Sequence, residues 1–272
     1  MAEKIAFIGA GNMARSLVGG LLRHGYAADR LSAADPDAGQ RSSMAALGVA
    51  TFDSNERAIE GAASVVLAVK PQVLGSVLQN LKAALRTDQL LISIAAGVPS
   101  TAISAWSPDG IGVVRCMPNT PALYRAGITA LYANERVTPQ QRSAAEAILA
   151  AVGDVLWVRD EGAIDAVTAV SGSGPAYFFY LMEAMIDAGI ALGLDAATAR
   201  TLTLKTAYGA AVMANESGLD PGALRRNVTS PGGTTERALA TLDAGGWKTL
   251  TEQAVRDAAR RSVELANEFG AR

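Results

Sequence analysis

Short apolar runs alternate with stretches of helical periodicity through the first half of the chain. The runs predict β-strands over residues 4–9, 30–35, 64–69, 89–94, 112–116, 128–132 and 154–158. The stretches between them predict helices near residues 12–24, 36–47, 55–60, 71–85, 100–106 and 138–152. Strands that alternate with helices are typical of βαβ units, so the pattern predicts a parallel sheet covered by helices.

The strand pattern ends near residue 160, and the rest of the chain shows helical periodicity alone. The predicted helices span residues 161–170, 175–193, 196–217, 221–227, 235–244 and 247–269, with Gly and Pro between them. The sequence therefore predicts two domains, an α/β domain over residues 1–159 and an all-α domain over residues 160–272.

The helix predicted over residues 175–193 is apolar on nearly every side, which predicts burial all round. The all-α segment is too small to bury it alone, so we expect a second subunit to cover the rest. Burial against the α/β domain only is the alternative. Glu183 and Asp187 lie within this helix and argue against a membrane span.

Composition excludes several classes of protein. The chain of 272 residues has a formal net charge of −2 and no basic block, so nucleic acid is not an expected partner. Its single cysteine, Cys116, and single histidine, His24, cannot form an internal disulfide or supply the four ligands of a structural zinc site. One histidine also argues against Ser-His-Asp chemistry. The first residues lack a signal-peptide pattern, and we expect a cytoplasmic protein without a bound metal.

A glycine turn over residues 9–14, GAGNMA, follows the first predicted strand and opens the first predicted helix. In the spacing G-x-G-x-x-A, the first glycine permits a tight turn and the second lets the backbone approach a pyrophosphate. The small Ala14 lets the helix pack close to the sheet. The helix N-terminus then directs free N–H groups at the anion. A glycine-rich turn without a ligand is the alternative, but the flanking elements favour a dinucleotide.

Asp35 ends the second predicted strand, 26 residues after Gly9. An acid near this offset bonds the ribose 2′-hydroxyl of NAD, and its charge repels the 2′-phosphate of NADP. Two alternatives stay open: Asp35 caps the following helix, and Arg41 reaches round to a 2′-phosphate.

Two later strand ends are expected to face the coenzyme, since ligands of open α/β sheets bind outside the carboxyl ends of the strands. They supply the candidate neighbours of the ribose and nicotinamide, namely Ala68, Val69, Lys70, Pro71, Ala95, Ala96 and Gly97. Lys70 has a simpler interpretation as a solvated side chain. Asn119 and Thr120 lie between two prolines, which predicts a stiff loop, and Cys116 is predicted to be a core residue.

A second glycine turn, TSPGGTT, precedes the fifth predicted helix of the all-α domain. Gly232 and Gly233 free the backbone, and the helix predicted from Thr235 directs N–H groups at the turn. A carboxylate is the natural ligand of such a site, and the hydroxyls of Ser230 and Thr235 add polar contacts. The alternative is an ordinary helix start, with Ser or Thr at the N-cap and Glu236 in the first turn.

Six segments spread over nearly the whole chain carry a family resemblance: FIGAGNM, AVKP, SIAAGV, RCMPNTPAL, DAVTAVSGSGPAY and VTSPGGTT. In these segments the chain resembles the pyrroline-5-carboxylate reductase family, whose members use NADPH or NADH to reduce 1-pyrroline-5-carboxylate in the last step of proline biosynthesis. The resemblance implies an N-terminal Rossmann domain and a helical C-terminal domain that binds substrate and interlocks two subunits. Homodimers or rings of dimers are expected, with substrate at the dimer interface beside the nicotinamide.

The resemblance also implies roles for single residues. The coenzyme pyrophosphate would be surrounded by Ile8, Gly9, Ala10, Gly11, Asn12 and Met13. The adenosine ribose would lie near Asp35 and Asn55, and the nicotinamide side would be lined by Val69, Lys70 and Ala96. The substrate carboxylate would be bound by Ser230, Gly233 and Thr234 in the turn that contains Gly232. Thr235 would hydrogen-bond the ring nitrogen as the catalytic residue.

One departure and two other functions remain to be weighed. Relatives commonly carry a neutral residue at the position of Asp35, so the choice between NADH and NADPH stays open. A β-hydroxyacid dehydrogenase would need a catalytic lysine in the helical domain, and neither Lys205 nor Lys248 lies in a matching motif. A nucleotide-sensing protein without catalysis is the third interpretation, since a fold does not prove an activity. The intact TSPGGTT turn argues against it.

Overall fold

Eight strands form one sheet in the computed structural model, which describes residues 3–270. They are β1 (Ile5–Ile8), β2 (Leu31–Ala34), β3 (Ala50–Phe52), β4 (Ser64–Leu67), β5 (Leu90–Ser93), β6 (Gly112–Met117), β7 (Gly127–Ala133) and β8 (Gly153–Trp157). Their order is β3-β2-β1-β4-β5-β6-β7-β8. The chain changes direction across the sheet between β1 and β4, which is the arrangement of a doubly wound Rossmann sheet. The predicted α/β class of the N-terminal half is confirmed.

The sheet is parallel, as predicted, except at one pair of strands. Strands β6 and β7 run antiparallel, with Cys116 opposite Leu131. A 3-10 turn over Thr120–Tyr124 joins them. A parallel connection needs about a dozen or more residues, and the segment between these strands is shorter, so the chain has to return antiparallel. The sequence pattern also misses β3, a short edge strand that is only half-buried and carries no apolar run.

Twelve α-helices accompany the sheet in the described part of the chain. In the first half they are α1 (Asn12–Arg23), α2 (Ala38–Ala45), α3 (Asn55–Ile59), α4 (Pro71–Leu81), α5 (Ser100–Ala105) and α6 (Pro139–Leu149). The rest are α7 (Ala163–Val167), α8 (Gly174–Ala191), α9 (Ala196–Glu216), α10 (Pro221–Asn227), α11 (Thr234–Ala244) and α12 (Trp247–Gly270). No strand follows β8 within residues 3–270, and the predicted all-α character of the second half is confirmed.

The strands alternate their side chains between two hydrophobic cores. Ile5 and Phe7 of β1 pack in one core with α1 and α6. Ala6 and Ile8 point into the other core, with α3, α4 and α5. Successive side chains of a strand face opposite sides of the sheet, so helices cover both faces and the carboxyl ends of the strands stay open to loops.

The chain divides into two compact units. The first runs to Ser173 and resumes at Asp257, and the second is Gly174–Arg256. The boundary between Arg256 and Asp257 falls inside helix α12. The last turns of this helix belong to the first unit because Phe269 packs in the core that contains α4 and α5. The predicted domain boundary at residue 160 remains a prediction.

Helix α8 packs against α9 in the second unit, and most of its surface stays open. The single chain does not bury this helix, and the predicted cover by a second subunit stays a prediction. Phe178, Phe179 and Tyr180 are 65%, 62% and 75% exposed. One neighbouring helix covers only one side of another, so an apolar face remains uncovered.

Candidate active site

The first glycine turn joins β1 to α1, and its two glycines have different tasks. Gly9 has a φ of +98°, and a Cβ at this position would lie 2.6 Å from the carbonyl oxygen of Ala68. The chain itself therefore requires glycine there. At Gly11, no atom from elsewhere in the chain lies within 4 Å of the ideal Cβ position, its sequence neighbours aside. The space beside Gly11 is open to a ligand, as the fingerprint predicts.

The N-terminus of α1 opens directly at this turn. Gly11 is its N-cap, no side chain caps it, and its first turn carries no acid. The free N–H groups of a helix start form a ready site for an anion. The side chains of Ile8 and Ala10 are buried in the core, so these residues offer only their backbone, whereas Asn12 is exposed. These features fit the pyrophosphate of a dinucleotide.

Asp35 lies at the carboxyl end of β2 and fastens the glycine turn. Its Oδ2 accepts a hydrogen bond from the Ala10 N–H at 2.8 Å, and its Oδ1 accepts one from the Asp37 N–H at 2.9 Å. The alternative that Asp35 caps the next helix is wrong, because Asp37 is the N-cap of α2 and accepts from Gln40 N.

Arg15 stands in this region, and the sequence patterns do not single it out. Its guanidinium donates to the carbonyl oxygen of Ala10 at 2.7 Å and to side-chain oxygens of Asn12 and Gln40. Arg41 donates to the carbonyl oxygen of Asp35 at 2.8 Å. Arg15 lies one turn into α1, where a long side chain can fold back over the helix start, and that position is the signal that could have found it.

Asn55 and the strand end after β4 line the same edge of the sheet. Asn55 is the first residue of α3, behind an N-cap at Ser54, and is half-buried. Ala68 and Val69 are half-buried, and Lys70 is the exposed N-cap of α4, which begins at Pro71. The Lys70 side chain makes no cap hydrogen bond.

The loop after β5 is more deeply buried than the strand end after β4. Ala95 and Gly97 are buried, and Ala96 packs against the apolar cluster of Met117 and Ile164. Gly97 has a φ of +72°, and a Cβ there would lie 3.0 Å from the Cβ of Leu265 in α12. The predicted nicotinamide side therefore has a closely packed backbone, in which Gly97 leaves little room for a larger residue.

A buried ionic cluster fixes the continuation of this loop, and the sequence analysis misses it. Arg115 of β6 is 3% exposed and pairs with Glu161 at 3.1 Å. Its other terminal nitrogen lies 3.7 Å from Asp165. Glu161 accepts hydrogen bonds from the N–H and Oγ of Ser100, both at 2.6 Å, and Asp165 accepts from Ser262 Oγ of α12 at 2.7 Å. The cluster joins β6, α5, α7 and α12, which lie far apart in sequence and show no common pattern.

The helix predicted over residues 161–170 continues from α7 into a π-helical turn, Thr168–Gly172. The N–H of Ser173 donates to Thr168 O at 2.8 Å across this turn. The Oγ of Ser171 is buried and has no hydrogen-bond partner. Such turns are frequent at functional sites.

The second glycine turn lies in the second unit and precedes α11. Gly232 has a φ of +70°, and its N–H donates to Glu236 Oε2 at 2.7 Å. Gly233 is the N-cap, with no side-chain cap hydrogen bond, so the alternative of a Ser or Thr N-cap is wrong. The helix begins at Thr234, one residue before the predicted start, and its first N–H groups point at the turn.

The polar side chains of this turn remain accessible. Ser230 and Thr234 are exposed, and Thr235 is half-buried. Glu236 folds back toward Gly232 from the third helical position, which orders the turn. The arrangement can bind a small carboxylate through backbone N–H groups and hydroxyls.

Three other observations bear on the chemistry. Cys116 is buried, as predicted, and burial raises the pKa of its thiol, which keeps it protonated. Within residues 3–270 no group of three or more His, Cys, Asp and Glu side chains is placed to hold a metal ion. No helix of that region is long and apolar enough to cross a membrane.

Comparison with known proteins gives a consistent result. Residues 161–265 match the family model for pyrroline-5-carboxylate reductase dimerisation, and residues 4–97 match the model for coenzyme F420-dependent NADP oxidoreductase. The pyrroline-5-carboxylate reductase of Pseudomonas aeruginosa is 53% identical over 98% of both chains.

Two solved structures agree with this match. A pyrroline-5-carboxylate reductase from Coxiella burnetii is 43% identical, with a TM-score of 0.93 over 98% of this chain and 99% of that one. The Plasmodium falciparum pyrroline carboxylate reductase, solved with NADP bound, is 30% identical, with a TM-score of 0.87 over 97% and 98% of the two chains. The chain belongs to the pyrroline-5-carboxylate reductase family.

Proposed function

We propose that this protein reduces 1-pyrroline-5-carboxylate to L-proline with a reduced nicotinamide dinucleotide. The observation that carries the proposal is the pairing of two anion cradles in one chain, at Gly11 before α1 and at Gly233 before α11. The first fits a pyrophosphate and the second fits a small carboxylate. The names of the relatives, and the NADP in the Plasmodium structure, support the same reaction and coenzyme.

The first unit binds and orients the coenzyme. In the proposal the backbone of residues 8–13 surrounds the pyrophosphate, while Asp35 and Asn55 lie near the adenosine ribose. The strand-end residues 68–71 and 95–97 line the nicotinamide side. A reduced nicotinamide supplies a hydride when bound there. Ala95 and Gly97 are buried, so the backbone on this side of the nicotinamide is well packed.

The second glycine turn holds the substrate. Gly232 N–H is already bonded to Glu236, so the substrate carboxylate takes the N–H groups at the start of α11, with help from Ser230 and Thr234. The Thr235 hydroxyl accepts a hydrogen bond from the protonated ring nitrogen. A protonated imine is already a strong electrophile, so little acid–base machinery is needed. Orientation can contribute about 7–11 kcal/mol to such a reaction.

Replacing Thr235 with valine is expected to lower kcat/KM for 1-pyrroline-5-carboxylate by about 10- to 100-fold, because one hydrogen bond to a charged group is lost. The shape of the side chain is kept, and coenzyme affinity should stay unchanged. Steady-state rates of coenzyme oxidation measure the effect.

The matched control is Thr241→Val on the same helix, whose hydroxyl donates a hydrogen bond to the carbonyl oxygen of Arg237 at 3.3 Å. This variant should keep the wild-type kcat/KM. An unchanged kcat/KM for Thr235→Val would remove Thr235 from the scheme.

We also propose that the protein is a homodimer, or a higher assembly of dimers, joined through the uncovered apolar face of α8. The dimerisation model that matches residues 161–265 supports this. Phe178→Glu places a charge on that face and should shift the mass in sedimentation toward the monomer. Tyr124→Glu is the control, since Tyr124 is 85% exposed but lies in the first unit. Equal masses for the two variants and wild type would argue against this interface.

The proposed division of the chain into domains agrees with the two proposed binding sites. We propose a dinucleotide-binding domain over residues 1–159 and a substrate-binding and dimerisation domain over residues 160–272. The two matched family models, which cover residues 4–97 and 161–265, support this division. A cytoplasmic location and the absence of nucleic-acid partners stay predictions of the sequence.

A further inference from the structure

The last turns of α12 lie against the loop that joins β5 to α5. A Cβ at Gly97, in the middle of this loop, would lie 3.0 Å from the Cβ of Leu265 and 3.6 Å from Cδ2 of Phe269. Phe269 is 7% exposed and packs in the core that contains α4 and α5, and Leu265 packs against the same core. The loop backbone therefore lies directly beside two side chains of α12, with little space between them.

A second connection joins α12 to the end of the same loop. Ser262 is buried and donates a hydrogen bond to Asp165 at 2.7 Å. Asp165 lies 3.7 Å from Arg115, which pairs with Glu161 at 3.1 Å. Glu161 accepts hydrogen bonds from the N–H and Oγ of Ser100, the first residue of α5. The loop is thus held by α12 in its middle through apolar contacts and at its end through buried polar groups.

The contacts to the loop come from one face of α12. Ser262, Leu265 and Phe269 are spaced by three and four residues, which places them in one row along the helix. Other positions of these turns carry exposed ion pairs, namely Arg260–Asp257, Arg261–Glu264 and Arg261–Glu268. Ion pairs at spacings of three and four support a helix by themselves. We therefore expect α12 to stay helical when an apolar side chain of the packed face is shortened.

We propose that Leu265 and Phe269 are positioning residues for the nicotinamide half of the coenzyme, acting through the loop of residues 95–97. The proposal rests on the proposed function for the coenzyme class and for the place of the loop beside the nicotinamide. The two side chains hold the loop backbone and do not touch the coenzyme. The glycine turn between β1 and α1, which takes the pyrophosphate, makes none of these contacts. The two residues should therefore affect one half of the coenzyme and spare the other.

Binding of two nucleotides to the full-length protein tests the proposal without any turnover. Isothermal titration compares NADP⁺ with 2′,5′-ADP, which lacks the nicotinamide half. Leu265→Ala and Phe269→Ala should each weaken NADP⁺ binding by about 3- to 30-fold and leave the affinity for 2′,5′-ADP unchanged. Phe269→Leu refills most of the space and should recover most of the NADP⁺ affinity.

The matched control is Leu85→Ala. Leu85 is 6% exposed and packs in the same core as Phe269, but it lies between α4 and the amino end of β5, away from the loop. All three alanine variants lose core packing and should lose stability, whereas Leu85→Ala should keep the wild-type ratio of the two affinities. The proposal is overturned if both α12 variants keep that ratio, or if Leu85→Ala lowers it as much as they do.

The outcome can be separated from that of the proposed reaction. The expected change in ratio, together with no reduction of 1-pyrroline-5-carboxylate by the wild type, would support the positioning role and reject the reaction. Formation of L-proline by the wild type, together with an unchanged ratio in both α12 variants, would support the reaction and reject the positioning role.

Discussion

Replacing Gly9 with alanine is expected to destabilise the fold and to abolish tight binding of coenzyme. The new Cβ would lie 2.6 Å from the carbonyl oxygen and 2.8 Å from the carbonyl carbon of Ala68, at a φ of +98°. Ala68 follows the central strand β4, and its backbone atoms cannot move aside without disturbing the sheet. Overpacking and backbone strain together should cost about 2–4 kcal/mol of unfolding free energy. Displacement of the turn should weaken NADPH binding by more than about 10-fold.

The matched variant is Gly11→Ala, two residues further along the same turn. Its Cβ would meet no atom from elsewhere in the chain within 4 Å, its sequence neighbours aside, so the unfolding free energy should change by less than about 1 kcal/mol. Coenzyme affinity should still fall, because the methyl group enters the space assigned to the pyrophosphate. Denaturant unfolding at fixed protein concentration and fluorescence titration with NADPH measure the two quantities. Full coenzyme affinity in Gly11→Ala would contradict the assignment of this turn.

Replacing Arg115 with methionine is expected to destabilise the fold at least as much as the change at Gly9. Arg115 is 3% exposed, and Glu161 and Asp165, which it faces, have side chains only 20% and 16% exposed. Removal of one partner from a buried ion pair leaves uncompensated charge and costs about 3–5 kcal/mol. Glu161 also bonds Ser100 just after the loop of residues 95–97, so the affinity for coenzyme should fall as well.

The control for this prediction is Arg136→Met, which removes an exposed arginine close in sequence. A surface substitution of this kind should change the unfolding free energy by no more than about 0.5 kcal/mol. The triple variant Arg115→Met, Glu161→Gln, Asp165→Asn should recover part of the loss, since no buried charge remains. Equal stability of Arg115→Met and wild type in denaturant unfolding would show that the cluster contributes little.

The sequence predicts the elements whose pattern is local. The strand at β1, the turn at Gly9 and Gly11 and the start of α1 follow one another within a few residues, and each has its own signal. The helices of the second half are bounded by Gly and Pro, and α10 is predicted at its observed bounds, Pro221–Asn227. The resemblance to a family adds roles that no pattern of spacing supplies.

Long-range contacts account for what the sequence misses. Arg115 pairs with Glu161, 46 residues further along the chain. Asp165 accepts a hydrogen bond from Ser262, 97 residues further along. Nothing in the local pattern joins these residues. The antiparallel direction of β7 follows from the short connection between β6 and β7, which the periodicity of the strands does not show. The side chain of Asp35 has the spacing of a ribose ligand, but only the structure shows that Ala10 N–H already binds it.

The most direct test of the central claim is the stoichiometry of the reaction catalysed by the full-length protein. Incubation with NADPH and 1-pyrroline-5-carboxylate should consume one NADPH for each L-proline formed, as measured by absorbance and by chromatography of the product. Gly11→Ala should lower this rate at limiting coenzyme. Binding of NADPH without formation of L-proline, at substrate concentrations that saturate related enzymes, would contradict the account.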